Sequence, residues 1–209
     1  MQSRKLQRLA TILAAVALAS ACGKAEEAED SPKKTDSLVI GTPMAAPTAA
    51  PAPAFSDANV LAKLDADNAA DSSAGAMAVA KGTSASVKEF GRMMMKDHHA
   101  MRVEGAALAS KAAIMPAMPP GDRDAAAAAA VADSMAALPK GAAWDKFFAD
   151  HQVDGHTKVL KFAQDAANGT RNADLRAMIQ RAAPTVEKHL VKAKAIQGAL
   201  ESATAWAPM

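Results

Sequence analysis

Four long segments of this chain repeat their apolar residues every three to four positions, and none alternates them residue by residue. A period of 3.6 is that of a helix with one face in a core, whereas a half-buried strand alternates with period two. The segments are about Asp57 to Lys81, Ser86 to Ala113, Ala142 to Ala167 and Ala173 to Glu201. "GTSAS" between the first two supplies a glycine stop and an N-capping hydroxyl, and "MPAMPPGD" and "NGTRN" punctuate the rest. An Ala-rich stretch that Asp122 can cap runs through about Leu138 and reads as an accessory helix. Pro184 lies inside the last segment and is expected to kink or split it. The pattern therefore specifies an all-α domain, with alanines letting helices approach closely.

Each apolar stripe carries one ionisable residue near its middle. Val87, Phe90, Met94, His98, Met101, Gly105 and Leu108 share one face of the second segment, and His99 points to the side. His156 is central to Ala149, Val153, Leu160 and Ala163, with His151 off the stripe. His189 is central to Leu175, Met178, Ala182, Ala193, Ile196 and Leu200. On the first segment Asp71 lines up with Val60, Leu64 and Ala78, and Asp67 lies one turn away. Counted from the connecting loops at ~1.5 Å per residue, an up-down-up-down bundle brings all four to within about a turn of one layer.

One carboxylate and three imidazoles suit a single divalent transition ion: Zn, Fe, Mn or Cu. Asp71, His98, His156 and His189 are the candidate metal ligands, with Asp67 and Asp97 as further carboxylates. The competing reading is a metal-free polar network in which Asp71 bonds the three histidines and fixes register, since buried imidazoles need partners. A third is copper handling by Met95 and His99, an i,i+4 pair whose soft ligands, with Met93 nearby, suit Cu(I). Paired Glu-x-x-His helices, the di-iron signature, are absent from the sequence. So are a Gly-rich phosphate loop and a G-x-S-x-G elbow, so the sequence leans away from an enzyme. Redox chemistry at a bound metal is the one enzymatic reading left open.

The N-terminal region reads as an export signal. Arg4, Lys5 and Arg8 precede the apolar "LATILAAVALASA", and the pattern ends at Cys22, the single cysteine. Residues 1–21 are expected to be a signal peptide. Small residues followed by Cys22 resemble a lipobox, although "ASA" also fits ordinary cleavage. Residues 22–55, charged and then Pro/Ala-rich, form an expected disordered tether to a periplasm-facing domain at 56–209. Gly23 after Cys22 favours the outer membrane. A net charge of +2 without a basic stripe leaves no nucleic-acid footprint, and the expected partner is the membrane, through the lipid anchor.

Three stretches also resemble a known family. "SVKEFGRMMMKDHHA" is similar to the V-x-x-F-x-x-x-M-x-x-D-H segment of the domain of unknown function 4142 family. "LPKGAAWDKFFADHQVDGHTKVLKF" resembles its third-helix segment and "APTVEKHLVKAK" its P-x-x-x-x-H-L motif. The resemblance covers Ser56 to Ile196 and carries over to Asp97, His98, Asp145, His156, Pro184 and His189. Asp71 stands where the family tends to have Glu, Trp144 replaces a Phe, and His99 and His151 are extra. It implies a ferritin-like envelope protein and no known reaction. The combined expectation is a ferritin-like up-down four-helix bundle with an accessory Ala-rich helix.

Overall fold

The computed structural model describes residues 55–205. The expected signal peptide, Cys22 and all of the expected tether except Phe55 lie outside them. Among the described residues the elements are five helices: α1 (Asp57–Lys81), α2 (Ala85–Lys111), α3 (Asp124–Ala137), α4 (Ala142–Gly169) and α5 (Ala173–Ala205). None is long and apolar enough to cross a membrane.

Side-chain caps explain three of the five helix starts, those of α1, α2 and α5. Ser56 Oγ accepts from Asn59 N at 3.1 Å while Asn59 Oδ1 accepts from Ser56 N at 3.2 Å, a reciprocal box that satisfies two orphan donors. Ser84 caps α2 through Val87 N, and Asn172 accepts from Leu175 N at the start of α5. The N-cap of α3 is Arg123, without a side-chain cap, and not the expected Asp122, which lies one residue earlier and accepts from Asp124 N at 2.8 Å. The α5 span runs through Pro184 unbroken, so the expected split is corrected. Its flanks, Ile179 and Val186, are buried and hold the helix against its neighbours.

The connectivity departs from a simple up-down-up-down order. At one end Asp145, at the start of α4, accepts from Thr83 N and Ser84 N at the start of α2, at 2.9 and 2.8 Å. At the other, Thr170 Oγ1 donates to Asp57 at the start of α1, and Lys111 at the end of α2 pairs with Asp174 at the start of α5. Thus α4 runs parallel to α2, and α5 parallel to α1. The reason is α3. Buried Lys63 of α1 pairs with Asp122 and Asp124, while Lys81 Nζ donates to Met135 O at 3.0 Å. The short helix therefore carries the chain back along the length of α1 before α4 begins.

α1 packs chiefly on α2, α4 on α5, and α2 on α5. Two apolar clusters result. Trp144, Phe148, Phe90, Met94 and Ile196 belong to one, and Val60, Leu108, Leu175 and Ile179 to the other. Trp144 stacks on Phe148 at 5.4 Å and donates its indole N–H to Met135 O at 2.8 Å. Phe55 packs edge-on against Phe162.

The α1–α2 contact is closest at two glycines. A Cβ on Gly91 would lie 2.6 Å from Gly75 O and 2.8 Å from Ala78 Cβ. Gly91→Ala is therefore expected to destabilise the domain by about 1–3 kcal/mol, although Ala is the better helix former, because the backbones must separate. Urea unfolding measures this. An unchanged midpoint would show the contact to be looser than described.

Candidate metal centre

Between the two apolar clusters the core turns polar. His98, His156 and His189 are 2, 1 and 0 % exposed, and their ring centroids lie 5.0–5.6 Å apart. One nitrogen from each lies within 4.8 Å of the others.

The outward nitrogens are each held. His156 Nδ1 lies 3.0 Å from Gln152 O. A carbonyl can only accept, so Nδ1 carries the hydrogen and Nε2 is left as a bare lone pair. That Nε2 is buried and finds no hydrogen-bond partner among the described protein atoms. His189 Nε2 lies 3.0 Å from the Asp97 carboxylate, another acceptor, so its Nδ1 is the lone-pair side. His98 Nδ1 lies 2.7 Å from Asn68 Oδ1. With the amide oriented this way, His98 also donates outward and its Nε2 faces inward.

Inside, His98 Nε2 is 3.2 Å from His189 Nδ1 and 3.6 Å from Asp71 Oδ2. Two lone pairs facing at 3.2 Å repel unless a cation or a proton lies between them. Turning the Asn68 amide would let His98 donate to His189, yet His156 Nε2 would still have no partner. Outer partners that fix the tautomer and aim the lone pair inward are what metal-ligating histidines use. Four-coordinate geometry with bonds of about 2.0–2.1 Å places ligand nitrogens about 3.4 Å apart, close to the spacing of the His98–His189 pair.

Electrostatics agree with this arrangement. Burial, with His156 and His189 beside it, pushes His98 down to about 3. Burial and His189 take His156 down to about 4, and burial lowers His189 against the opposing pull of Asp97. The imidazoles are therefore neutral near pH 7, the form that binds metal. Burial, then Asp67, lifts Asp71 to about 8.

Of the residues singled out from the sequence, the structure brings together His98, His156 and His189, and it sets Asp71 3.6 Å from His98 Nε2 alone. Asp97 holds the outer side of His189 and does not face the centre. Asp67 lies one turn from Asp71 beside a cavity, lifted to about 6 by burial. Met95 is 41 % exposed and His99 is exposed, so the soft-ligand pair lies on the surface, while Met93 packs partly buried against the core. His151 lines a second cavity beneath α3. Asp145 is buried at the end of the bundle, away from the histidines. Two site residues were missed. Asn68 is three residues before Asp71, on the same helix face. Gln152 is one turn before His156 and 0 % exposed, and its amide finds no partner among the described protein atoms. The spacing to Asp71 and to His156 was a signal available for both.

A family model described as domain of unknown function (DUF4142) matches residues 42–196. No curated protein and no solved structure gives a match.

Proposed function

Starting from the chain's membership of the domain of unknown function 4142 family, a description that assigns no activity, we propose that this protein binds one divalent transition metal in the middle of its helical core. His98 and His156 would bind through Nε2, His189 through Nδ1, and Asp71 through its carboxylate. Asn68, the Gln152 carbonyl and Asp97 would orient the three rings. The observation that carries this reading is the buried, unpartnered His156 Nε2, on a ring that offers one nitrogen within 4.8 Å of one from each of the other two. A structural polar network accounts for His98 and His189 but gives this nitrogen nothing to bond, at a cost of about 1–3 kcal/mol for an unsatisfied buried polar group.

We read the surrounding architecture as a ferritin-like four-helix bundle. Two antiparallel pairs, α1/α2 and α4/α5, joined by one long crossover that contains α3, support it. The site differs from the di-iron centres of such bundles in having one inner carboxylate where those use several. On the pattern of residues 1–22 we place the domain at the periplasmic side of an envelope membrane, tethered through Cys22.

The test uses the full chain, exported and purified without a histidine tag, then titrated with zinc, iron, manganese and copper and assayed by elemental analysis after dialysis. One ion per chain is expected. No retained ion with any of the four metals would end the proposal and leave the histidines as core packing.

A further inference from the structure

The three histidines are buried, so an ion bound among them needs a way in. Two cavities are lined by Asp71, whose carboxylate lies 3.6 Å from His98 Nε2, and both are also lined by Asp67, one turn before it. Their other walls differ. The first, of about 580 Å³, lies between the two helix pairs and is mainly apolar, with Leu64, Met101, Leu160 and Ile179 in its lining. Its remaining carboxylates, Asp65 and Glu104, are paired with Arg102 and Arg181 at 2.8 and 2.6 Å. The second, of about 670 Å³, lies under α3 and beside α1 and α4, and Ser73, His151, Asp154 and Lys158 also line it. A dication sheds water at great cost against apolar walls, and at less cost beside polar groups that replace the water. The second cavity therefore opposes its passage less.

The cations of that cavity are already matched. Lys158 pairs with Asp154 at 2.6 Å, and Lys63 with Asp122 and Asp124. Asp67 makes no hydrogen bond or ion pair among the described residues. Lifted only to about 6, it is ionised at pH 7. It is thus a negative charge without a bonded partner, one helical turn from the carboxylate that meets His98. The buried, unpartnered His156 Nε2 is the independent sign that a cation belongs inside.

The space beside these groups is left open from two sides. Gly155, next in sequence to His156, lines the second cavity, and a Cβ there would meet nothing within 4 Å. The lining from α3 is mostly alanine, including Ala128 and Ala132, whose short side chains leave the space unfilled.

Resting on the metal reading above, we propose that the ion reaches the histidines through the cavity under α3, taken up at Asp67 and passed to His98 by Asp71. Asp67 serves the ion in transit and is not a ligand of the seated ion.

The test mixes the metal-free full chain with zinc in a stopped-flow instrument, follows the free ion with a zinc-sensing dye, and measures ion content per chain after dialysis. A cleft lined by one sign of charge raises the capture rate of its counter-ion by about 10–1,000-fold. Asp67→Asn should therefore load zinc at least about tenfold more slowly and still retain one ion per chain. Added salt should slow the parent and narrow that gap. Ala132→Leu, which fills the second cavity from α3, should also slow loading, whereas Ala106→Leu, in the first cavity, should not. Should Asp67→Asn fail to fold, Ala132→Leu carries the test. Zinc retained by the parent with loading unchanged in Asp67→Asn or Ala132→Leu overturns the inference and leaves the metal reading standing. Slowing by Ala106→Leu alone does the same. Loss of the ion from Asp67→Asn at equilibrium makes Asp67 a ligand and overturns the inference too. A parent that holds no zinc overturns the metal reading itself.

Discussion

His156→Ala is expected to weaken zinc binding by more than about a hundredfold and to lose most of the stabilisation that zinc gives the parent chain. Loss of a ligand should cost at least as much as loss of an orienting partner, which typically costs 10–100-fold. The two quantities together discriminate between the readings of the site. If the histidines were a structural network, removing one would strand its partners at about 1–3 kcal/mol. Truncating this buried ring also leaves a cavity under either reading, so the quantity that separates them is the stabilisation zinc adds. With zinc at a hundred times the parent's Kd the parent gains about 2.7 kcal/mol, and the variant should gain less than about 0.4 kcal/mol. Asp97→Asn should fall between, because it alters only the outer side of His189. His99→Ala, on the surface, is the control. Zinc affinity unchanged in the variant would refute the assignment.

Trp144→Ala should be among the most damaging single changes in the domain, at about 3–5 kcal/mol by urea unfolding. The ring is fully buried, stacks on Phe148 and, through it, contacts Phe90 edge-on at 5.9 Å. Its indole also fastens the end of α3 to α4. Trp144→Phe separates these contributions. It keeps most of the packing and loses the hydrogen bond, and Met135 O retains Lys81 as a donor, so about 1 kcal/mol is expected. Equal losses in both variants would shift the weight from packing to the indole bond.

Helix limits were legible because their causes are local. Ser56, Ser84 and the Pro/Gly stretches set caps and stops within a few residues of the ends they control, and α1 begins and ends where its cap and glycine place it. The site was legible to the extent that one ionisable residue per stripe implies convergence. The direction of α4 was not. It depends on where α3 docks, and most of α3 is alanine, which carries periodicity without saying which neighbour to face. Its placement comes from Lys63 and Lys81, whose partners are remote in sequence. On α4 the buried set of Phe148, Ala149, Gln152 and His156 is turned from the stripe through Val153 and Leu160, so Gln152 was passed over. Asn68 was hidden by its neighbours, because Asp67 and Asp71 offered charge and an amide reads as neutral filler.

The glycine contact between α1 and α2 bears on ion size. Gly75 is one turn from Asp71, and Gly91 two turns from His98. Where two backbones already touch, the carboxylate and the imidazole beyond them have little freedom to spread. An ion seated there must accept short bonds and few ligands. Calcium, which takes six to eight oxygens at about 2.3–2.6 Å, would have to push the helices apart. The same two glycines that let the core close would then act as a gauge, admitting small transition ions and refusing the more abundant alkaline-earth ones.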